Sequence, residues 1–229
     1  MFGVLYTSQD VTSSALAGLF LMSFSAAVLC FVGLSWSNER WRVPVAMMGV
    51  AALATAIAYG GAAALWLSGG GASAGPRFSA WYTALPLQVA ATWFFVRTQG
   101  RIPVGIFWRM TGAALLMVFA RWLGDASFFN PTLGVLLSIG FWLYILGEMY
   151  FGAMPGAIRK SSRAVRLGFF WIRLLMTIGW AIWPILHFVD VVIGAGQASG
   201  VVVLYSLADI VNLIIPAMIV LAVAGQDRY

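Results

Sequence analysis

The chain has 229 residues, 62% of them apolar and 9% charged, with a formal net charge of +6. A soluble domain of this size needs far more charge to cover its surface, so the composition excludes one and implies an integral membrane protein. Long Ala, Leu, Val, Ile and Met runs without strand-length alternation point to helices rather than a barrel, at about 20 residues per crossing.

Seven such spans follow one another at about 13–35, 43–67, 77–97, 104–123, 131–151, 168–192 and 201–224, making one membrane domain over 1–229. Arg40 and Arg42 lie in the first connection, Arg97 and Arg101 in the third, and Arg159, Lys160, Arg163 and Arg166 in the fifth. The second and sixth connections have no Lys or Arg. This bias predicts an outside N-terminus and a cytoplasmic C-terminus. It also accounts for the net charge without a nucleic-acid partner. The first span lacks a basic leader and a small-residue cleavage site, so no signal peptide is expected. Cys30, the one cysteine, reads as a small buried apolar residue.

In chain order, the second span is Ala-rich and carries Tyr59. The Gly69-Gly-Gly-Ala-Ser-Ala-Gly-Pro76 segment is a glycine-rich connection. No Lys-Ser/Thr follows it, so it is not a phosphate loop. The third span reads Arg77-Phe-Ser-Ala80-Trp81-Tyr82-Thr-Ala-Leu-Pro86-Leu-Gln88 and continues through Ala91 without an acid. Arg121 and Asp125 close the fourth span at i,i+4 spacing, an arrangement that stabilises an exposed helix end by about 0.3–0.5 kcal/mol.

The fifth span carries Trp142, Tyr144 and Glu148, the last read as an interfacial carboxylate near the cytoplasmic end. In the sixth, Gly179-Trp-Ala-Ile-Trp-Pro184 precedes His187, the only histidine, and Asp190. His187 and Asp190 share a helix face and can pair there, but two ligands are too few for a metal site. The seventh span places a lone acid, Asp209, among apolar residues, followed by Asn212, Leu213 and Pro216. An ionisable side chain at that depth marks a functional site by default. Pro216 leaves the carbonyl of Asn212 without its intrahelical partner.

Trp81 with Pro86, the Gly179–Pro184 hexapeptide, and Tyr205-x-Leu-Ala-Asp209-x-x-Asn212 together resemble the proteorhodopsin-like group of microbial rhodopsins. The resemblance covers essentially the whole chain and implies an all-α, seven-transmembrane-helix bundle in a bacterial inner membrane. In that group a lysine one turn after the helix-seven aspartate carries retinal as a protonated Schiff base. Here that position is Leu213, which has no amine, and the chain's single lysine is Lys160 in the fifth connection. The resemblance further implies that Ala80 stands at the proton-acceptor position, Ala91 at or near the proton-donor position, and Ala58 at a histidine position. General acid–base transfer needs a titratable group within hydrogen-bonding reach, so proton pumping is not expected.

The resemblance also implies a retained counterion cluster of Asp209, Arg77 and Tyr59, with Arg77 the obvious partner of the buried Asp209. A ligand pocket is implied at Trp81, Tyr82, Gln88, Trp180, Trp183 and Tyr205. The two aromatic positions of the hexapeptide, Trp180 and Trp183, would flank the polyene, with Trp183 standing in place of a tyrosine, and Gln88 would stand at a colour-tuning position. Two functions compete. One is a structural or regulatory subunit in a homo-oligomer, pentameric or hexameric as rhodopsins of the group form, or in a hetero-oligomer with a lysine-bearing rhodopsin. The other is a sensor that holds retinal or a carotenoid without a covalent bond. A light-independent channel is a weaker reading, because polar residues along the bundle axis are sparse. An enzyme is not expected, since the sequence offers no nucleophile–base pair, metal cluster or cofactor loop.

Overall fold

The computed structural model describes residues 11–69, 75–193 and 199–227, without the side chains of residues 75–76, 190–193 and 199–202. Among the described residues the chain is helical, in seven rods. The first five are α1 (Val11–Gly33), α2 (Glu39–Leu67), α3 (Gly75–Arg97), α4 (Val104–Asp125) and α5 (Pro131–Phe151). A short helix, α6 (Met154–Ile158), leads to the sixth rod, α7 (Arg163–Leu174) and α8 (Trp180–Ile193), joined by a π-turn over Leu175–Gly179. The seventh rod is α9 (Ser199–Asp209) and α10 (Ile215–Gln226), joined by a second π-turn over Ile210–Ile214.

Several edges match the spans read from hydropathy, such as 131–151 for α5 and the start of α4 at Val104, but two rods begin earlier. α2 starts at Glu39 rather than 43, and the sixth rod at Arg163 rather than 168. Hydropathy marks the hydrocarbon core, whereas caps mark the helix. The Ser162 hydroxyl accepts from the Val165 amide at 3.3 Å, which starts α7 among charged residues. The Asn130 side chain accepts from Thr132 and Leu133 ahead of α5, with Pro131 in the first turn.

Six rods are long and apolar enough to cross a membrane. α3 is less apolar, yet it is buried along most of its length and packs between α2 and α4. The outer surface is apolar: Leu116, Leu137 and Trp108 are exposed, and Phe151 is 91% exposed. Such a belt is a liability in water and is the natural surface of a bilayer protein. α4 and α5 approach backbone to backbone at Gly124 and Gly134. A Cβ on Gly134 would lie 2.8 Å from the Ala120 carbonyl oxygen, so only glycine permits this contact.

The end that carries the basic connections is tied by Asp227, the residue after α10. Its carboxylate accepts from Trp41 Nε1 at 3.1 Å and pairs with Arg40 at 3.1 Å. Its backbone carbonyl accepts from Asn38 Nδ2 at 3.3 Å. The final helix is thereby fastened to the start of α2.

Candidate functional site

Asp209 is fully buried where α9 runs into its π-turn, and it acts solely as an acceptor. The Tyr59 hydroxyl from α2 donates to Oδ2. Trp183 Nε1 from α8 donates to Oδ1 at 2.8 Å, and Trp81 Nε1 from α3 lies 3.3 Å from both oxygens. Burying an acid is tolerable only with such compensation. Here three uncharged donors from three helices provide it.

Among the described residues Arg77 makes no direct ion pair with Asp209, although its charge still acts on the carboxylate and on Tyr59. Its guanidinium lies over the Tyr205 ring at 3.9 Å and faces Trp81 at 5.9 Å. Tyr59, Trp81 and Trp183 already occupy the carboxyl oxygens, and the aromatic faces hold the cation instead.

The indoles form a connected stack. Trp183 is 4.8 Å from Trp81 and 5.8 Å from Trp180, centroid to centroid. Beside them lies a cavity of about 50 Å³ lined by Trp81, Trp142, Trp180, Trp183, Arg121 and Tyr205 among others. One water needs at least about 10–15 Å³, so this space suits a few water-sized molecules.

Around the two π-turns, side chains take over backbone carbonyls. A π-turn shifts the hydrogen-bond ladder by one residue and leaves a carbonyl without its regular partner. Pro216 has no N–H for the Asn212 carbonyl, and Pro184 has none for Trp180 or Gly179. Gln88 Nε2 donates to the carbonyls of Asn212 at 3.0 Å and Leu213 at 3.1 Å. Asn212 Nδ2 donates to the Gly179 carbonyl at 2.8 Å, and Trp142 Nε1 to that of Met176 at 2.7 Å. A Cβ on Gly179 would lie 2.0 Å from Asn212 Oδ1. The third, fifth, sixth and seventh rods are thus cross-linked at the level of Leu213.

The remaining singled-out residues are placed as follows. Leu213 is buried within the seventh-rod π-turn, and Ala80 and Ala91 are fully buried in α3. Tyr82 is half-buried. Lys160 is exposed in the turn before α7. Glu148 is not a lone interfacial acid: it accepts from Arg109 of α4 at 2.7 Å, with Tyr144 at 3.4 Å. Arg121 pairs with Asp125 as the spacing suggested, and its Nη2 also lies 3.4 Å from His187 Nδ1. The side chain of Asp190 lies outside the described residues. Among the described residues no group of three His, Cys, Asp or Glu could hold a metal ion.

Several of these roles were missed in the sequence. Trp81 and Trp183 read as ring walls, yet both donate to Asp209. Gln88 read as a colour position, yet it caps helix seven; the missing N–H of Pro216 was the clue that some buried donor was required.

Comparison with known proteins agrees with this architecture. No protein-family model matches the chain. It is 26% identical over 208 residues to the blue-light absorbing proteorhodopsin of Gamma-proteobacterium Hot 75m4, covering 89% of this chain and 82% of that one. It is 24% identical over 227 residues to the green-light absorbing proteorhodopsin of Gamma-proteobacterium EBAC31A08, covering 95% and 90%. Among solved structures, the blue light-absorbing proteorhodopsin from Med12 superposes with a TM-score of 0.80 at 22% identity, over 95% of this chain and 100% of that one. Xanthorhodopsin, a light-driven ion pump with dual chromophore, gives 0.83 at 15% identity, over 98% and 94%. The fold is therefore the seven-helix bundle of the microbial rhodopsins. The chain is an integral membrane protein, similar in sequence to the proteorhodopsins at 24–26% identity.

Proposed function

We propose that this is a rhodopsin-fold protein without a retinal Schiff base, which does not pump protons and which works through assembly. The observation that carries the reading is Leu213. It stands four residues after Asp209 on the interior of the bundle, while the only lysine, Lys160, is exposed at the basic end. Ala80 and Ala91 add that no acid in α3 could accept or supply a proton.

The partner is a second copy of the chain or a lysine-bearing rhodopsin, meeting it through the apolar belt in the plane of a bacterial inner membrane. Orientation follows the basic connections, with the C-terminus cytoplasmic. Native mass measurement in detergent or nanodiscs, alone and after co-expression with a proteorhodopsin, tests the reading. A discrete homo- or hetero-oligomer supports it. A strict monomer that leaves the pump's assembly and photocurrent unchanged counts against it.

The second reading, non-covalent binding of retinal or a carotenoid, draws support from the cavity beside Trp142 and Trp180. Its small volume weighs against a polyene. Retinal that neither colours the protein nor raises its melting temperature would remove this reading.

A further inference from the structure

We propose that Trp183 is the resident occupant of the aromatic slot, a side chain of the protein lying where a flat ligand would otherwise lie. The inference rests on the reading that the chain has no covalent anchor and deepens it by identifying what fills the site.

Three observations converge. Trp183 is the shared ring neighbour of Trp81 and Trp180, at 4.8 and 5.8 Å, so an indole of this chain packs directly against both. Carbon atoms in contact sit about 3.5–4.0 Å apart, so a planar guest between two rings needs them roughly 7–8 Å apart. Neither pair leaves that distance. Second, Trp183 Nε1 donates to Asp209 Oδ1 at 2.8 Å, closer than either contact of Trp81. The ring is therefore fastened as well as stacked. It contributes an N–H to the buried acid, and a guest that displaced it would have to bring a donor of its own.

Third, Trp183 is 8% exposed, and the cavity beside the stack measures about 50 Å³. That space does not receive an indole, so the ring has no second resting place without rearrangement of α8. Trp183 is in this sense a specificity-determining residue. It closes the slot to planar apolar ligands and supplies one of the hydrogen bonds that Asp209 accepts, beside those of Tyr59 and Trp81.

The test uses full-length protein purified in nanodiscs and all-trans retinal as the probe. Four forms are compared: native, Leu213→Lys, Trp183→Tyr, and the double variant. Visible absorbance is read before and after borohydride, with helical circular dichroism as the check of folding. The double variant is expected to form a visible pigment at least about tenfold above Leu213→Lys alone, the factor that one buried hydrogen bond to an acid represents. Trp183→Tyr alone is expected to bind retinal reversibly, read as saturable quenching of total tryptophan fluorescence that the native protein is expected to lack.

Leu213→Lys forming pigment as fully as the double variant would overturn the proposal. So would a folded double variant that stays colourless, or equal quenching in native and Trp183→Tyr proteins. None of these outcomes touches the absence of an anchor. That reading fails separately, if the native protein itself forms a borohydride-fixed adduct.

Discussion

Gln88→Leu isolates the contribution of the amide that caps helix seven. The substitution keeps nearly the same volume and removes two hydrogen bonds, to the carbonyls of Asn212 at 3.0 Å and Leu213 at 3.1 Å. Pro216 cannot replace the first, and both lie in the buried interior. A buried hydrogen bond contributes about 0.5–1.5 kcal/mol, and interhelical bonds in bilayers average about 0.6 kcal/mol. Two of them give a loss of roughly 1–3 kcal/mol. For a chain of this size that corresponds to a fall in melting temperature of roughly 2–10 °C. The control is Thr92→Val, whose hydroxyl bonds only the Gln88 carbonyl within its own helix at 2.8 Å. Thr92 is buried and loses one bond within its own helix, so the substitution is expected to cost less than Gln88→Leu, about one such bond at most. Thermal unfolding in nanodiscs followed by circular dichroism reads both. A Gln88→Leu midpoint no lower than that of Thr92→Val would refute the capping argument.

Other perturbations have equally definite outcomes. Gly179→Ala forces a Cβ against Asn212 Oδ1 and breaks the Asn212–Gly179 bond; a loss of about 1–3 kcal/mol or more is expected in the same thermal assay. Gly140→Ala, with nothing near its added Cβ, is the neutral counterpart. Asp227→Ala releases Trp41, Arg40 and Gln99 at the basic end. It should raise proteolysis and amide exchange at the end of α10 and the start of α2, while leaving exchange around Asp209 unchanged. Arg109→Gln removes the charge of an Arg109 side chain that is 54% exposed, while its partner Glu148 is 13% exposed. Its melting temperature should fall less than that of Gln88→Leu in the same assay.

The bundle itself was legible in the sequence, because seven apolar spans and alternating basic connections follow directly from bilayer chemistry. The start of the sixth rod was less so, since Ser162 caps it in a polar flank that hydropathy ignores. Asp209 stood out for its charge, and Tyr59 for its register. Arg77 was grouped with Asp209 and Tyr59 by the resemblance, and opposite charge suggested a direct pair. The three-dimensional arrangement instead gives the acid to indole and phenol donors, a choice no pairing rule of opposite charges contains. The two π-turns were invisible, although Pro184, Pro216 and Gly179 marked where the ladder would be disturbed. Gln88 and Asn212 became intelligible once the carbonyls that they serve were located. Leu213 needed no structure to be read as lacking an amine; what the fold adds is its burial in the seventh-rod π-turn, cross-linked by Gln88 to α3 and by Asn212 to the sixth rod.

Intact-protein mass measurement after incubation with all-trans retinal and borohydride reduction, beside a lysine-bearing proteorhodopsin as positive control, shows whether the native chain forms a retinal Schiff base. An unmodified native mass and no visible pigment are expected, with one retinyl group on the control. A stoichiometric retinyl adduct on the native protein, necessarily mapped to Lys160 or the N-terminal amine, together with a visible band, would contradict this expectation.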